Sequence, residues 1–169
     1  NNFPWHYKES IDEQFKYTCD KIEFAKNQSS FEHMFYLHEQ GGKISPYFDI
    51  LVPFINACGM QIPDVEINKL ISVKAELIIN NGEKASLYPN VDLNYPNKTI
   101  LLYLNNSSGN TILFDEFFED GKDVTEFNFK DDYTYTPTEN CILFFDGLQY
   151  NASCLPTEHT NSYTIKLNY

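Results

Sequence analysis

Residues 99–114 read Thr-Ile-Leu-Leu-Tyr-Leu-Asn-Asn-Ser-Ser-Gly-Asn-Thr-Ile-Leu-Phe, and this stretch is the clearest indication of the fold. Two apolar runs, 99–105 and 110–114, are rich in β-branched and aromatic residues and flank a segment of Asn, Ser and Gly. Such runs on either side of turn-forming residues are typical of neighbouring antiparallel strands. The stretch therefore predicts two strands of an antiparallel sheet.

Similar short runs recur through most of the chain from about residue 70 onward. Several alternate apolar and polar residues, as a half-buried antiparallel sheet requires. Strands are predicted at 31–37, 71–79, 99–105, 110–114, 123–129, 141–145 and 163–168. Many short strands that follow helices predict a mainly β (α+β) protein with a two-sheet β-sandwich or jelly roll, whose helices support one sheet.

The helices are predicted near the beginning of the chain. Ser45-Pro46 is typical of an N-cap followed by Pro at the first helical position. Apolar residues at helical spacing follow it and predict a helix with a kink near Pro53. A second helical pattern covers Ser10 to about Lys26.

Length and composition narrow the possible functions. The 169 residues predict one domain, with a mixed, mostly helical support region at 1–60 and a β core at 70–169. The net charge is −12 and the chain contains no arginine, so binding to nucleic acid is not expected. No apolar run approaches the roughly 18 residues that cross a bilayer, which predicts a soluble protein without a membrane partner.

The cysteines and the first residues of the chain are used to predict the cellular compartment. Four cysteines without metal-site or redox spacing predict buried thiols in a reducing environment. The chain opens without a basic segment followed by an apolar one, so no signal peptide is expected.

Five segments occur in an informative order: Asn2–Tyr7, Val73–Leu77, Thr99–Thr111, Phe145–Asn151 and Ser162–Tyr169. Together they resemble the 2-oxoglutarate/Fe(II)-dependent dioxygenases of the prolyl-4-hydroxylase-like group, especially its small phage-type members. The resemblance covers nearly the whole chain. It implies a double-stranded β-helix (jelly roll) with N-terminal buttressing helices.

The sequence departs from this family where the chemistry would occur. In the family a His-x-Asp motif and a distal His hold Fe(II), whereas here Asn90 and Asn151 stand at the two histidine positions and Asp92 is retained. Ser162 replaces the arginine that binds 2-oxoglutarate, and Tyr103 corresponds to a cosubstrate contact. Amide oxygens are poor ligands for Fe(II), and a serine cannot form a charged contact to a carboxylate.

The resemblance therefore implies vestigial sites. The metal-site positions are Asn90, Asp92 and Asn151, and the 2-oxoglutarate-site positions are Ser162 and Tyr103. We expect no catalytic residue, no cofactor and no bound metal, with Asp92 as the ligand if any metal binds.

Four other residues are of types that could replace a lost contact or bind a metal: Lys166, His159, His33 and His38. Lys166 lies four residues after Ser162, on the same face of a predicted strand, and could offer a cation. His159 could replace a metal ligand, the alternative being a solvated loop residue. His33 and His38 are five residues apart, which suits neither a helical nor a strand-borne metal pair, so we interpret them as surface or core histidines.

These observations predict a non-catalytic, oxygenase-like protein, a pseudoenzyme, that binds a protein partner or assembles with itself. The resemblance to phage proteins implies a structural component of a virion, or a location in the cytoplasm of a bacterial host. One alternative is an active hydroxylase that uses Fe(II) and 2-oxoglutarate with irregular ligands. A second is a jelly roll that binds a small ligand or carbohydrate through Tyr88, Tyr95, Tyr103 and Tyr150.

Overall fold

The computed structural model describes residues 3–9, 24–25, 29–62, 65–80, 82, 84–158 and 161–169. These residues contain one α-helix, α1 (Phe48–Gln61), and ten strands. The strands are β1 (His6–Glu9), β2 (Ser29–Leu37), β3 (Gly42–Lys43), β4 (Ser72–Ile78), β5 (Lys98–Tyr103), β6 (Thr111–Phe117), β7 (Asp131–Tyr135), β8 (Ile142–Asp146), β9 (Gln149–Ser153) and β10 (Ser162–Asn168). Within the described ranges no helix is long and apolar enough to cross a membrane.

The strands form two antiparallel sheets. The larger has the order β1-β2-β4-β10-β5-β8, with β3 beside β2, and the smaller has the order β7-β6-β9. The segment 86–90 extends the smaller sheet through single bridges from Ser86 to Cys154 and from Asn90 to Asn151. From β4 to β10 the chain passes repeatedly between the two sheets. This is the predicted double-stranded β-helix.

The outer face of the larger sheet is covered by α1. Side chains alternate between the two faces of each strand, so β10 directs Ile165 and Leu167 to the helix and Thr164 and Lys166 to the inside of the jelly roll. Ile55 of α1 is 1% exposed and belongs to the same apolar cluster. The helix thus supports the sheet, as the sequence predicts.

The inner face of the larger sheet is polar near the ends of its central strands. Asn168 of β10 lies opposite Ser72 of β4 and Thr99 of β5. The Thr99 hydroxyl donates to Asn168 Oδ1 over 3.0 Å, and Asn168 Nδ2 donates to Ser72 Oγ over 3.2 Å. These three buried polar side chains are therefore hydrogen bonded across three strands, which offsets the cost of removing them from water.

A loop rather than a strand covers the smaller sheet, so the predicted strand at 123–129 is wrong. The segment contains a 3₁₀ turn, Val124–Glu126, followed by extended residues. Phe127 and Phe129 pack against Tyr150 of β9 with ring centroids 5.2 and 5.1 Å away. The two-residue spacing of these phenylalanines resembles a strand, but it results from packing on a sheet.

The N-terminal third also differs from the prediction. Its described residues contribute three strands to the larger sheet as well as α1, so these residues are not mainly helical. The helix begins at Phe48, two residues later than the start predicted from Ser45-Pro46, and Ser45 Oγ accepts the Tyr47 N–H over 3.2 Å in the preceding turn. The helix predicted at Ser10–Lys26 lies outside the described residues, apart from residues 24 and 25. Residue 24 forms a bridge to Ser86 instead.

His33 is a core residue that joins the N-terminal segment to the start of the helical region. Its Nδ1 donates to the carbonyl oxygen of Pro4 over 2.9 Å, which leaves Nε2 to pair with the hydroxyl of Ser45 at 2.8 Å. The ring lies edge-on to those of Phe3 and Phe35. Both ring nitrogens therefore have partners within the protein.

The turn between β8 and β9 is built against Asn97. The N–H of Gly147 donates to the carbonyl oxygen of Asn97 over 2.9 Å. A Cβ at position 147 would overlap the side-chain amide of Asn97. The close approach of the two residues therefore requires glycine in this turn.

Candidate functional site

Asn90 and Asn151 lie directly opposite each other. The N–H of each donates to the carbonyl oxygen of the other, over 3.0 and 3.1 Å. Paired residues in antiparallel strands direct their side chains to the same face. Leu113, which lies opposite Asn151 on β6, packs against Leu101 of the larger sheet. This face therefore points into the space between the sheets.

Both asparagine amides donate hydrogen bonds to the surrounding backbone. Asn151 Nδ2 donates to the carbonyl oxygen of Asn90 over 3.1 Å. Asn90 Nδ2 donates to the carbonyl oxygen of Tyr88 over 3.2 Å. Asn151 is buried, whereas Asn90 is exposed at the edge of this space. The amides thus hold together the backbone of the segments in which they lie.

Asp92 forms ion pairs with two lysines of the opposite sheet. Its Oδ1 lies 2.9 Å from Lys74 Nζ and its Oδ2 lies 2.8 Å from Lys166 Nζ. Lys74 Nζ also lies 2.8 Å from Glu76 Oε1. The two lysines are direct register partners on β4 and β10, which places their ammonium groups side by side. We call Lys74, Glu76, Asp92 and Lys166 the four-charge cluster.

The four-charge cluster is well buried. The side chains of Lys166, Lys74 and Asp92 are 6%, 10% and 15% exposed, and that of Glu76 is 21% exposed. Because water is largely excluded, the attraction between these charges is screened much less than at the surface. Two ammonium groups and two carboxylates also leave the cluster without net charge.

The electrostatic environment keeps these groups ionised. Burial by itself would raise the pKa of Asp92, but the ammonium groups of Lys166 and Lys74 outweigh it and hold that pKa well below its usual range. Burial would lower the pKa of Lys74, yet Glu76 and Asp92 raise it above its ordinary value. The same balance of burial against Lys74 and Lys166 lowers the pKa of Glu76.

These residues do not fit Fe(II). A divalent cation on Asp92 would have to displace both ammonium groups and would then lie beside two buried positive charges. The side-chain amide oxygens of Asn90 and Asn151 are neutral, and they bind Fe(II) more weakly than the imidazoles that iron prefers. Among the residues that the structure describes, no group of three His, Cys, Asp or Glu side chains could hold a metal. His159 lies outside those residues.

The predicted 2-oxoglutarate positions do not fit the cosubstrate either. Ser162 is buried at the start of β10, opposite Ile78. The Tyr103 hydroxyl donates to Thr111 Oγ1 over 2.9 Å, and burial raises the pKa of Tyr103 above its usual value. Lys166, which could have offered a cation, has its ammonium group on Asp92. Neither residue nor the nearby lysine offers a free positive charge to a carboxylate.

The four tyrosines of the carbohydrate-binding alternative do not form one exposed surface. Tyr103 and Tyr150 are 1% and 4% exposed, and Tyr150 lies inside the aromatic cluster of the smaller sheet. Tyr88 is half-buried and Tyr95 is exposed. Two of the four rings are therefore inaccessible to a sugar.

The sequence analysis missed Lys74 and Glu76. Both lie in β4, a strand whose apolar residues Val73 and Ala75 pack against the helix side. A lysine and a glutamate at alternate positions of an otherwise apolar strand must point to the opposite face, here the inside of the jelly roll. This alternation in the sequence could have identified Lys74 and Glu76 as residues that point into the jelly roll. Their contact with Asp92 depends on the packing of the two sheets, which the sequence does not show.

Comparison with known proteins places this geometry in a fold. No family model matches the sequence, and no curated protein matches it. An oxidoreductase of the 2OG-Fe(II) oxygenase family from Burkholderia pseudomallei is similar in structure, with a TM-score of 0.56 and 6% identity over 98% of this chain and 72% of that one. This chain has a 2-oxoglutarate oxygenase fold.

Two further structures of this fold are prolyl hydroxylases. One is the Trichoplax adhaerens enzyme, solved with a hypoxia inducible factor peptide, with a TM-score of 0.50 and 16% identity over 87% of this chain and 68% of that one. The other is a prolyl 4-hydroxylase from Phytophthora capsici, with a TM-score of 0.50 and 14% identity over 82% of this chain and 46% of that one. The 2-oxoglutarate oxygenase fold is thus retained at very low sequence identity.

Proposed function

We propose that this protein is a non-catalytic member of the 2-oxoglutarate oxygenase fold that binds a protein partner or assembles with itself. The observation that carries the proposal is the pairing of both Asp92 carboxylate oxygens with ammonium groups, at 2.8 and 2.9 Å. Asp92 is the single retained residue of the expected ligand set, and its negative charge is already balanced by the two ammonium groups. A carboxylate in this state is a poor ligand for Fe(II).

The loss of cosubstrate contacts supports the same proposal. Binding of 2-oxoglutarate needs a cation for its distal carboxylate, and Ser162 cannot supply one. The chain has no arginine to take over that role. Without a bound metal or cosubstrate, the described residues inside the jelly roll suggest no other reaction, and the outer surface is then the remaining place for a function.

The surface offers material for contacts between proteins. The edge strand β8 exposes Ile142 and Phe144, which are 39% and 46% exposed, on the outer face of the larger sheet. Edge strands with apolar side chains are common sites of strand addition and association. The net charge of −12 favours a protein surface over nucleic acid. A role in a phage particle or in the cytoplasm of a bacterial host belongs to this proposal and rests on the sequence resemblance.

The first experiment tests for catalysis and metal. Protein purified without added metal is analysed for iron, and succinate formation is followed with Fe(II), ascorbate and 2-oxoglutarate, with an active prolyl hydroxylase as the control. We expect iron far below one equivalent, no succinate above background and no change of Tm with 2-oxoglutarate. Stoichiometric iron together with 2-oxoglutarate turnover would support the active hydroxylase instead.

The second experiment tests for assembly. Sedimentation of the purified protein measures self-association, and affinity capture from the native source followed by mass spectrometry identifies bound proteins. We expect either a defined oligomer or one stoichiometric partner. A protein that stays monomeric and recovers no partner would contradict the proposed role.

A further inference from the structure

We propose that Lys74 and Lys166 are a built-in replacement for a metal ion, and that they keep divalent cations away from Asp92. The inference stands on the geometry of the four-charge cluster, and it holds whether or not the protein has the proposed binding role. Two features close the site to a metal ion. The missing histidines are one part, and the two lysines are a second, independent barrier.

The charge and placement of the ammonium groups support this role. Each lysine contacts a different oxygen of Asp92, so the two positive charges together match the charge of a divalent cation. Their register pairing on β4 and β10 holds both groups at the same level of the sheet. A cation bound to Asp92 would meet both of them at short range in a buried place, where like charges repel strongly.

The lysines also make a connection that the vestigial ligand positions could not make. Asn151 belongs to β9 of the smaller sheet, Asn90 bridges to it, and Asp92 follows Asn90 by two residues, so a metal held by those positions alone would not link to the larger sheet. Lys74 and Lys166 belong to the larger sheet and join it to the segment that carries Asp92. The ion pairs therefore replace the charge of a metal and add a link between the two sheets.

The alternative is that the lysines merely fill space left by a lost metal. In that case restored histidines would recruit a metal and the lysines would move aside. In our proposal they would not, because moving them leaves two buried ammonium groups without Asp92, and Lys166 would lose the carboxylate it contacts. The two cases differ in what the lysines do to metal affinity.

Four proteins separate these cases: the wild type, Asn90→His/Asn151→His, Lys74→Met/Lys166→Met, and the variant that combines all four changes. Co(II) alone is the probe, and binding is measured by its visible absorption and by calorimetry. We expect the combined variant to bind Co(II) at least about 100-fold more tightly than the double-histidine variant, and the wild type and the double-methionine variant to show no measurable binding. Equal Co(II) affinity in the combined and double-histidine variants would overturn the proposal, as would a folded combined variant that binds no Co(II).

The combined variant could fail to fold, because it leaves the carboxylates of Asp92 and Glu76 without their lysines. A triple variant, Asn90→His/Asn151→His/Lys166→Met, keeps Lys74 with both carboxylates and removes one barrier. We expect its Co(II) affinity to exceed that of the double-histidine variant by about 10-fold or more. No gain over the double-histidine variant would overturn the proposal. Failure to recover a protein partner would leave this inference intact and contradict only the proposed function.

Discussion

Asp92 and Lys74 depend on each other for their ionised states, and this makes the stability of the protein dependent on pH at both ends of the scale. The lowered pKa of Asp92 means that its pairing stabilises the fold above the unfolded value of about 3.9 and is lost as the pH falls toward the folded value. The raised pKa of Lys74 has the opposite sign, so its contribution is present below about 10.4 and is lost as the pH rises further.

We therefore expect the contribution of the cluster to the free energy of unfolding to be nearly constant from about pH 5 to pH 9 and to fall in acid. Urea unfolding at a series of pH values measures this. In Asp92→Asn the acid decline should become shallower, because one of the buried carboxylates with a lowered pKa is gone. An unchanged acid slope in this variant would show that other carboxylates cause the decline.

Burial, and not the length of an ion pair, should determine its contribution to stability. Asp92→Asn leaves two buried ammonium groups without their carboxylate, and we expect it to lower the free energy of unfolding by about 3–5 kcal/mol. The matched control is Asp49→Asn. Asp49 pairs with Lys43 at 2.6 Å, but both side chains are exposed, so the loss should stay below about 1 kcal/mol. Urea unfolding at neutral pH compares the two variants, and similar losses would contradict this account.

The buried and exposed faces of α1 should contribute very differently to the stability of the protein. Ile55 is 1% exposed in the main apolar cluster, whereas Ile50 is 73% exposed on the same helix. We expect Ile55→Ala to lower the free energy of unfolding by about 2–5 kcal/mol and Ile50→Ala to change it by no more than about 0.5 kcal/mol. Thermal or urea unfolding measures both. A large effect of Ile50→Ala would mean that this side of the helix is covered.

The edge strand β8 gives a second test, which concerns assembly. Phe144→Lys places a charge on the exposed outer face of the strand, and we expect it to abolish self-association or partner capture while leaving Tm almost unchanged. Tyr133→Lys is the control, since Tyr133 is 50% exposed on β7, the edge strand of the other sheet. Sedimentation and capture compare the variants. Retained assembly in Phe144→Lys would exclude β8 as the contact.

The strands whose ends the sequence predicts most accurately are two in which apolar and polar residues alternate. The predicted strands at 71–79 and 163–168 correspond to β4 and β10, with their ends shifted by at most one residue. The strands β1, β3, β7 and β9 were missed, because they are short or carry polar and aromatic side chains without a clear apolar stripe. An alternating apolar pattern indicates which residues are buried, and the segment 123–129 shows that such residues can also lie in a loop.

The candidate site was predictable only in part. Comparing the sequence with the family pattern identified Asn90, Asp92 and Asn151, and the structure does pair Asn90 with Asn151. The partners of Asp92 come from β4 and β10, two strands of the larger sheet. Contacts of that kind depend on the register between strands and on the distance between sheets, and one sequence contains neither.

At the scale of the whole molecule, the net charge lies outside the four-charge cluster, because that cluster is neutral. The net charge of −12 is therefore carried by the rest of the protein, mainly its surface. Salt should then distinguish the two forms of the proposed role. Self-assembly of such an acidic chain should strengthen as salt screens the repulsion, whereas binding to a basic partner should weaken. Sedimentation and capture at low and high salt measure this, and an association insensitive to salt would exclude both electrostatic accounts.

The turn at Gly147 restricts the order in which substitutions can accumulate at two positions during evolution. Since the space for a side chain at position 147 is already taken by Asn97, a mutation of the glycine is tolerated only after, or together with, a smaller residue at position 97. The substitution of Asn97 should therefore precede or accompany that of Gly147, and should not follow it. In a library that randomises both positions, surviving sequences should pair bulk at one site with its absence at the other.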